Sequence, residues 1–160
     1  FQKKIGATLD EAGFAARVKD GSLRHVGLGE SLHFISHYLG LGVVKWDETI
    51  AAVKAERDMS CGLGAIRRGD TAGVRQTAHG WNAKGEEVVT MEFQAAIGQS
   101  EPHDRVVIEG EPRIDLRIEG GVHGDVATSA ITLNAVDALL AANPGLHTMA
   151  TVPMVRCGSR

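Results

Sequence analysis

The chain is expected to fold as an α+β domain, with a mostly antiparallel sheet of four or more strands covered on one face by helices. Apolar residues recur at helical spacing as far as about Met59, and at period two from Val74 onward. With 160 residues, 43% of them hydrophobic, the chain is long enough for one continuous core and is read as a single domain, 1–160.

Thr8 followed three residues later by Glu11 has the form of a capping box, opening a helix whose apolar stripe is Leu9, Ala12 and Ala16, flanked by Phe14 and Val18. Asp20-Gly21 ends it. A second helix is expected from Glu30 to Leu39, after Gly27-Leu28-Gly29, with Gly40 as its stop. A third is expected from about Asp47 to Met59, capped by Asp47 and burying Ile50 and Val53.

From Val74 to Ile97 a hairpin around Asn82-Ala83-Lys84-Gly85 would pair Trp81 with Glu86, Val74 with Phe93 and Ala78 with Val89. That register gathers apolar residues on one face and leaves Arg75, Thr77, His79, Glu92 and Gln94 on the other. Val106 and Ile108, then Ile114, Leu116 and Ile118, predict a second amphipathic hairpin. A three-residue turn at Gly110-Glu111-Pro112 sets Ile108 beside Ile114 and Val106 beside Leu116. The Gly-rich stretch from Gly120 to Gly124 leads to a helix capped by Asp125 and running to about Ala142, apolar on more than one side.

The net charge of −3, with both signs interspersed, gives no basic stripe for nucleic acid. No apolar run approaches the roughly 20 residues that span a bilayer, and the first residues lack the apolar core of a signal peptide, so no membrane partner and a cytoplasmic location are expected. Cys61 and Cys157 are too few and too far apart for a disulfide framework. Phe1 in place of Met, with Phe1 to Ile5 reading as the end of a strand or loop, suggests a piece of a longer polypeptide.

Cys61-Gly62-Leu63-Gly64 resembles the start of a dinucleotide fingerprint, but no apolar strand precedes it and no βαβ unit follows. Gly27-x-Gly29 lacks the third glycine. Redox chemistry must therefore use a cofactor held elsewhere. Glu30, His33 and His37 could share a helix face, yet spacing alone does not make a zinc site. A polar face with satisfied histidines, and no metal, is preferred. Lys3 and Lys4 precede a bend at Gly6-Ala7-Thr8 and a helix N-terminus, where free N–H groups and the helix dipole favour an anion such as a substrate carboxylate. The polar sheet face carrying Arg75 and Gln94 would be solvated or would line a ligand or subunit interface. His103-Asp104 and His123 lie in loops at element ends, where sites are often placed.

Several runs together resemble one family: Phe1-Gln2-Lys3-Lys4-Ile5-Gly6, His25-Val26-Gly27-Leu28-Gly29-Glu30-Ser31, Gly73-Val74-Arg75-Gln76 and Phe93-Gln94-Ala95-Ala96-Ile97-Gly98. To these are added Pro102-His103-Asp104, Gly121-Val122-His123-Gly124-Asp125 and Gly145-Leu146-His147-Thr148-Met149-Ala150. They look like the C-terminal domain of 2,4-diaminopentanoate dehydrogenase and of related dihydrodipicolinate reductase-like proteins. The resemblance implies a preceding Rossmann domain that binds NAD or NADP and a C-terminal domain that contacts a small amino-acid substrate and supplies the subunit interface; a homodimer is expected because the polar sheet face and the two-sided helix offer more surface than one small domain covers. It implies oxidative deamination of a small diamino acid, with Lys4 and His25 as catalytic candidates. Gly6, Ala7, Thr8, Glu30, Arg75, Gln94 and His123 are the substrate-binding candidates. Lys4 and Gly6-Ala7-Thr8 stand where dihydrodipicolinate reductase has a lysine and a helix start that holds a carboxylate. The paired histidines of that reductase are absent from this segment. An imine reductase of that kind and a non-catalytic dimeric ligand-binding module are the alternatives, and the isolated chain is expected to be inactive.

Overall fold

A carboxylate caps the first helix, and it belongs to Asp10 rather than Thr8. In the computed structural model, which describes residues 2–157, α1 spans Glu11–Lys19. Asp10 is extended (φ −73°, ψ 174°) and its carboxylate accepts a hydrogen bond from the Gly13 amide at 2.7 Å. Thr8 sits in the left-handed region (φ 69°), and its amide donates to the Thr71 carbonyl at 2.9 Å, which ties it to the sheet instead. Residues 2–8 form turns, while Phe1 lies outside the described residues.

Helix α2, Gly27–Leu39, starts before the expected Glu30 and ends as expected on Gly40, whose φ of 64° suits glycine. The earlier start follows from packing. Leu28 and Gly29 are buried, and a Cβ on Gly29 would stand 2.9 Å from the Trp46 ring, so glycine lets the helix approach the sheet closely.

The expected helix from Asp47 to Met59 is instead a strand, β1, Val43–Lys54. It pairs antiparallel with β4, Thr71–Asn82, from Val43 opposite Asn82 to Lys54 opposite Thr71. Ile50 and Val53 fit a helical stripe, but Trp46, Glu48, Ile50 and Ala52 alternate as a half-buried strand face, and pairing overrides local preference. Asp47 caps nothing and lies opposite His79.

Strand β5, Glu87–Ala96, completes a three-stranded sheet in the order β1-β4-β5. The hairpin forms where expected, with a shifted register: Val74 faces Ala95, Arg75 faces Gln94, Thr77 faces Glu92 and Ala78 faces Met91. Two local features cause this. The Asn82 side chain accepts from the amides of Lys84 (2.9 Å) and Glu86 (3.1 Å), which widens the turn, and an irregularity at Gly80/Trp81 adds a further step. Beyond the irregularity the total shift is even, so the residues from Val89 to Ala96 keep their expected faces, while Glu87, before it, moves to the outer face opposite Trp81.

Two short strands, β2 (Met59–Cys61) and β3 (Gly64–Ile66), pair with each other. Ile5, Phe14, Leu23, Ile66 and Val74 form the larger buried cluster. Leu28, Leu32 and Ala78 form the second, where α2 lies on the sheet. The class is α+β with antiparallel sheets, and its largest sheet has three strands rather than four or more.

The chain is described as two compact units, Phe1–Gln99 and Ser100–Arg160. The second holds the hairpin of β6 (His103–Ile108) and β7 (Ile114–Glu119) and helix α3 (Gly124–Leu140). Ile108 pairs with Ile114 and Val106 with Leu116, the register that the three-residue turn predicts. Asp125 lies in the first turn of α3 rather than at its cap, because the extended residue is His123 (φ −66°, ψ 114°). None of the described residues of this unit is fully buried.

The hairpin is laced by charge. Asp115 accepts from Arg105 Nε and Nη2 at 2.8 and 2.6 Å and from Arg113 Nη1 at 3.1 Å. The Arg105 hydrogen bonds, aided by Arg113, hold the Asp115 carboxyl well below the usual carboxylate range.

Three consequences are testable. Asp10→Ala should lose about 1 kcal/mol in urea unfolding and Thr8→Ala much less. Gly73→Ala should cost more than either, because the added Cβ would meet the Ala95 carbonyl oxygen at 2.0 Å. Because folding lowers the pKa of Asp115, its contribution is complete above the ordinary value of 3.8 and fades as pH falls below it. Amide shifts of β6 and β7 should report this loss between about pH 4 and about pH 2, and Asp115→Asn should remove the response.

Candidate functional site

The segment between α1 and α2 is positioned before any of its side chains can act. Leu23 is buried with Ile5, Ala7 and Phe14, and Arg17 Nε donates to Ser22 Oγ at 3.0 Å while the Ser22 amide donates to Asp20 at 2.8 Å. These contacts deliver Arg24 and His25 to the sheet face that α2 covers.

There the sheet offers an amide. Gln76 is fully buried on β4 and grips the His25 backbone at both groups: its Oε1 accepts from the His25 N–H at 2.7 Å, and its Nε2 donates to the His25 carbonyl at 3.2 Å. The same Nε2 donates to Glu48 at 2.8 Å, and Glu48 also pairs with Arg24. Phe93 lies directly across from Gln76, and the His25 ring stacks on it with 4.6 Å between centroids and 18° between planes. Backbone grip and stacking together fix an exposed imidazole beside an Arg–Glu pair.

Of this cluster, His25 alone was expected as a site residue. Gln76 carried a signal in the sequence: an amide between Val74 and Ala78 on the core face of the hairpin must find partners there. Glu48 carried none once its segment was read as a helix.

The other candidates are distributed elsewhere. Lys4 is exposed and makes no ion pair among the described residues. Gly6 and Ala7 are buried, and their amides donate to the carbonyls of Lys3 (3.3 Å) and Gln2 (3.2 Å), while the Thr8 amide goes to Thr71. The expected row of free N–H groups is therefore occupied by backbone carbonyls. Arg17 holds the bend from outside, donating to the Lys3 carbonyl at 2.7 Å. Glu30 is exposed in the first turn of α2. His123 belongs to the second unit.

Arg75 and Gln94 do meet, Nε to Oε1 at 3.0 Å, and Gln94 Nε2 donates to Gln99 at 2.7 Å. They occupy the sheet face opposite Gln76, since neighbouring residues of a strand point to opposite sides. That outer face also carries Lys45 over the Trp81 ring at 5.3 Å, and His79, which stacks on Trp81 and binds Glu87 at 2.8 Å. His79, with help from Thr90, lowers the Glu87 carboxyl from its ordinary value.

A nicotinamide dinucleotide does not fit the residues that might have held it. The Cys61–Arg67 run lies on the small β2–β3 hairpin, so it offers no helix N-terminus to a pyrophosphate, and Gly27-x-Gly29, the first turn of α2, buries Leu28 and Gly29 with Gly29 close against the Trp46 ring. Among the described residues, no helix is long and apolar enough to cross a membrane.

The geometry can be set beside known proteins. The 2,4-diaminopentanoate dehydrogenase of Acetoanaerobium sticklandii is 28% identical over 161 residues, covering 97% of this chain and 45% of that protein. A solved structure of an amine dehydrogenase from Mycobacterium smegmatis superposes with a TM-score of 0.78 at 22% identity, over 97% of this chain and 46% of that one, which shows a shared fold. The chain thus spans about half the length of the proteins it matches. The family model for the 2,4-diaminopentanoate dehydrogenase C-terminal domain matches residues 2–159, and the chain belongs to that family.

Proposed function

We propose that this chain is the substrate-binding and subunit-joining part of an NAD(P)-dependent dehydrogenase that oxidatively deaminates a small diamino acid. The observation that carries the reading is the His25 clamp, an exposed imidazole whose backbone is held at both groups by a buried glutamine, in a chain of this family. A proton acceptor beside a reacting amine needs fixed geometry of that kind. The dinucleotide is assigned to a Rossmann domain outside residues 1–160, since the Gly-rich Cys61–Arg67 run forms a β-hairpin rather than the strand-to-helix turn of a dinucleotide fold.

In this reading Lys4 holds the substrate carboxylate by charge, since the neighbouring amides of Gly6, Ala7 and Thr8 are already engaged. The bend itself serves to aim Lys4. Glu30 is suited to the second ammonium of a diamino acid, and His25 moves the proton. Arg75 and Gln94, with the rest of the outer sheet face, are assigned to the homodimer contact or to a substrate approaching from that side, and His123 to substrate binding. The enzyme is expected to be cytoplasmic.

The full-length protein should form NAD(P)H with a diamino acid among a panel of such compounds, and residues 1–160 alone should neither turn over substrate nor bind NAD(P)H at micromolar concentration. Calorimetric binding of NAD(P)H to the short chain would contradict the assignment. Lys4→Ala should lower kcat/KM by about 2 to 4 kcal/mol of transition-state stabilisation, and Lys3→Ala by much less. Equal kcat/KM for wild type and Lys4→Ala would return the lysine pair to solvent. Gln76→Leu, which strands the His25 backbone groups and Glu48, should cost about 1 to 3 kcal/mol of stability as well as activity.

A further inference from the structure

Helix α2 carries a second group of side chains that takes no part in the His25 clamp. His33 and His37 are four residues apart, so both project from one side of the helix, and both line a single cleft of about 400 Å³ with Ser36, Gly40, Gly42 and Val43. Other histidines use a ring nitrogen: His79 on Glu87, His103 on the Glu101 carbonyl and His147 on the Asn143 carbonyl. Neither His33 nor His37 does so among the described residues. Their rings make only edge contacts, His33 with Trp46 at 5.3 Å and 83°, and His37 with Tyr38 at 4.9 Å and 82°. Both side chains are exposed, which leaves their ring nitrogens open to solvent or to a ligand.

We propose that His33 and His37 form a two-imidazole site for a divalent transition-metal cation in this cleft. Charge and donor type agree on the ligand. The pair sits in the last turns of α2, which closes on Gly40, and the carbonyl ends of a helix carry partial negative charge that attracts a cation and repels an anion. Imidazole nitrogen suits Zn²⁺, Ni²⁺ and Cu²⁺, whereas Mg²⁺ and Ca²⁺ require oxygen donors. Two histidines at i and i+4 on one helix face are the pair from which helical zinc sites begin. No group of three or more His, Cys, Asp or Glu is gathered among the described residues, so water or an added ligand fills the remaining coordination positions. Such a site is open and exchangeable, and bridging one turn stabilises the C-terminal end of α2.

The test uses the full-length protein, purified without a histidine tag and freed of metal, titrated with Ni²⁺ by calorimetry and melted with Ni²⁺ or Mg²⁺. The expected result is a saturable site and a rise in melting temperature with Ni²⁺ and none with Mg²⁺. Loss of an outer-shell partner alone costs a metal site roughly 10- to 100-fold in affinity, so His37→Gln, which removes a ligand, should weaken binding by at least about tenfold. His33→Gln should do the same, while His123→Gln and His147→Gln should leave it unchanged. Each variant's metal-free melt shows whether it is folded. Absence of Ni²⁺ binding at millimolar concentration, or equal binding by wild type and by folded His33→Gln/His37→Gln, would overturn the proposal and mark any binding as adventitious.

Discussion

The side-chain amide of Gln76 is the contact on which the first unit depends. It is wholly buried on the central strand, where an unpaired amide would cost more than the burial of its carbons returns. Its partners are the N–H and C=O of His25 and the carboxylate of Glu48, so one side chain joins the loop before α2, the central strand and β1. Hydrogen bonds satisfied jointly are selective, because a rearrangement that breaks one leaves several groups unpaired. The start of α2, the height of His25 over Phe93 and the pairing of Arg24 with Glu48 all follow from that choice.

The sheet thereby acquires two unlike sides. Its inner side carries Val74 in the cluster with Ile5, Phe14 and Leu23, Gln76 at the clamp, and Ala78 against Leu28 and Leu32 of α2; its outer side carries Arg75, Thr77 and His79. Alternation along β4 separates them, and it survives the widened Asn82 turn and the irregularity at Gly80 because their combined displacement is even. An odd displacement would have set Glu92 or Gln94 opposite Gln76 in place of Phe93.

Period-two patterning was legible in the two longer hairpins of sequence-adjacent strands, β4–β5 and β6–β7, but not in β2–β3, whose three-residue strands are too short to show a period. It failed at β1, whose partner is remote and whose Thr49-Ile50-Ala51-Ala52-Val53 stretch fits a helix equally well when read alone. That single misreading hid Glu48 and with it half of the clamp. Thr8 misled for a different reason: the capping pattern was present, but the tie to Thr71 forces Thr8 to positive φ and passes the cap to Asp10. The family was legible from local runs. The engaged amides at Gly6 and Ala7 were not, because their partners are carbonyls that no side-chain pattern announces.

The second unit has a different physical character. Its hairpin has two strands and α3 has no buried residue, whereas β4 is bonded on both sides for nearly its whole length. A two-stranded ribbon is marginal in water. Opening is therefore graded along the chain: the amides of β4 exchange with solvent hydrogen only when the whole sheet comes apart, while those of β6 and β7 exchange through local fluctuations of low free energy. Ligands that engage Ser100–Arg160 would select among its fluctuating states, and those that engage the His25 clamp would meet a surface already set.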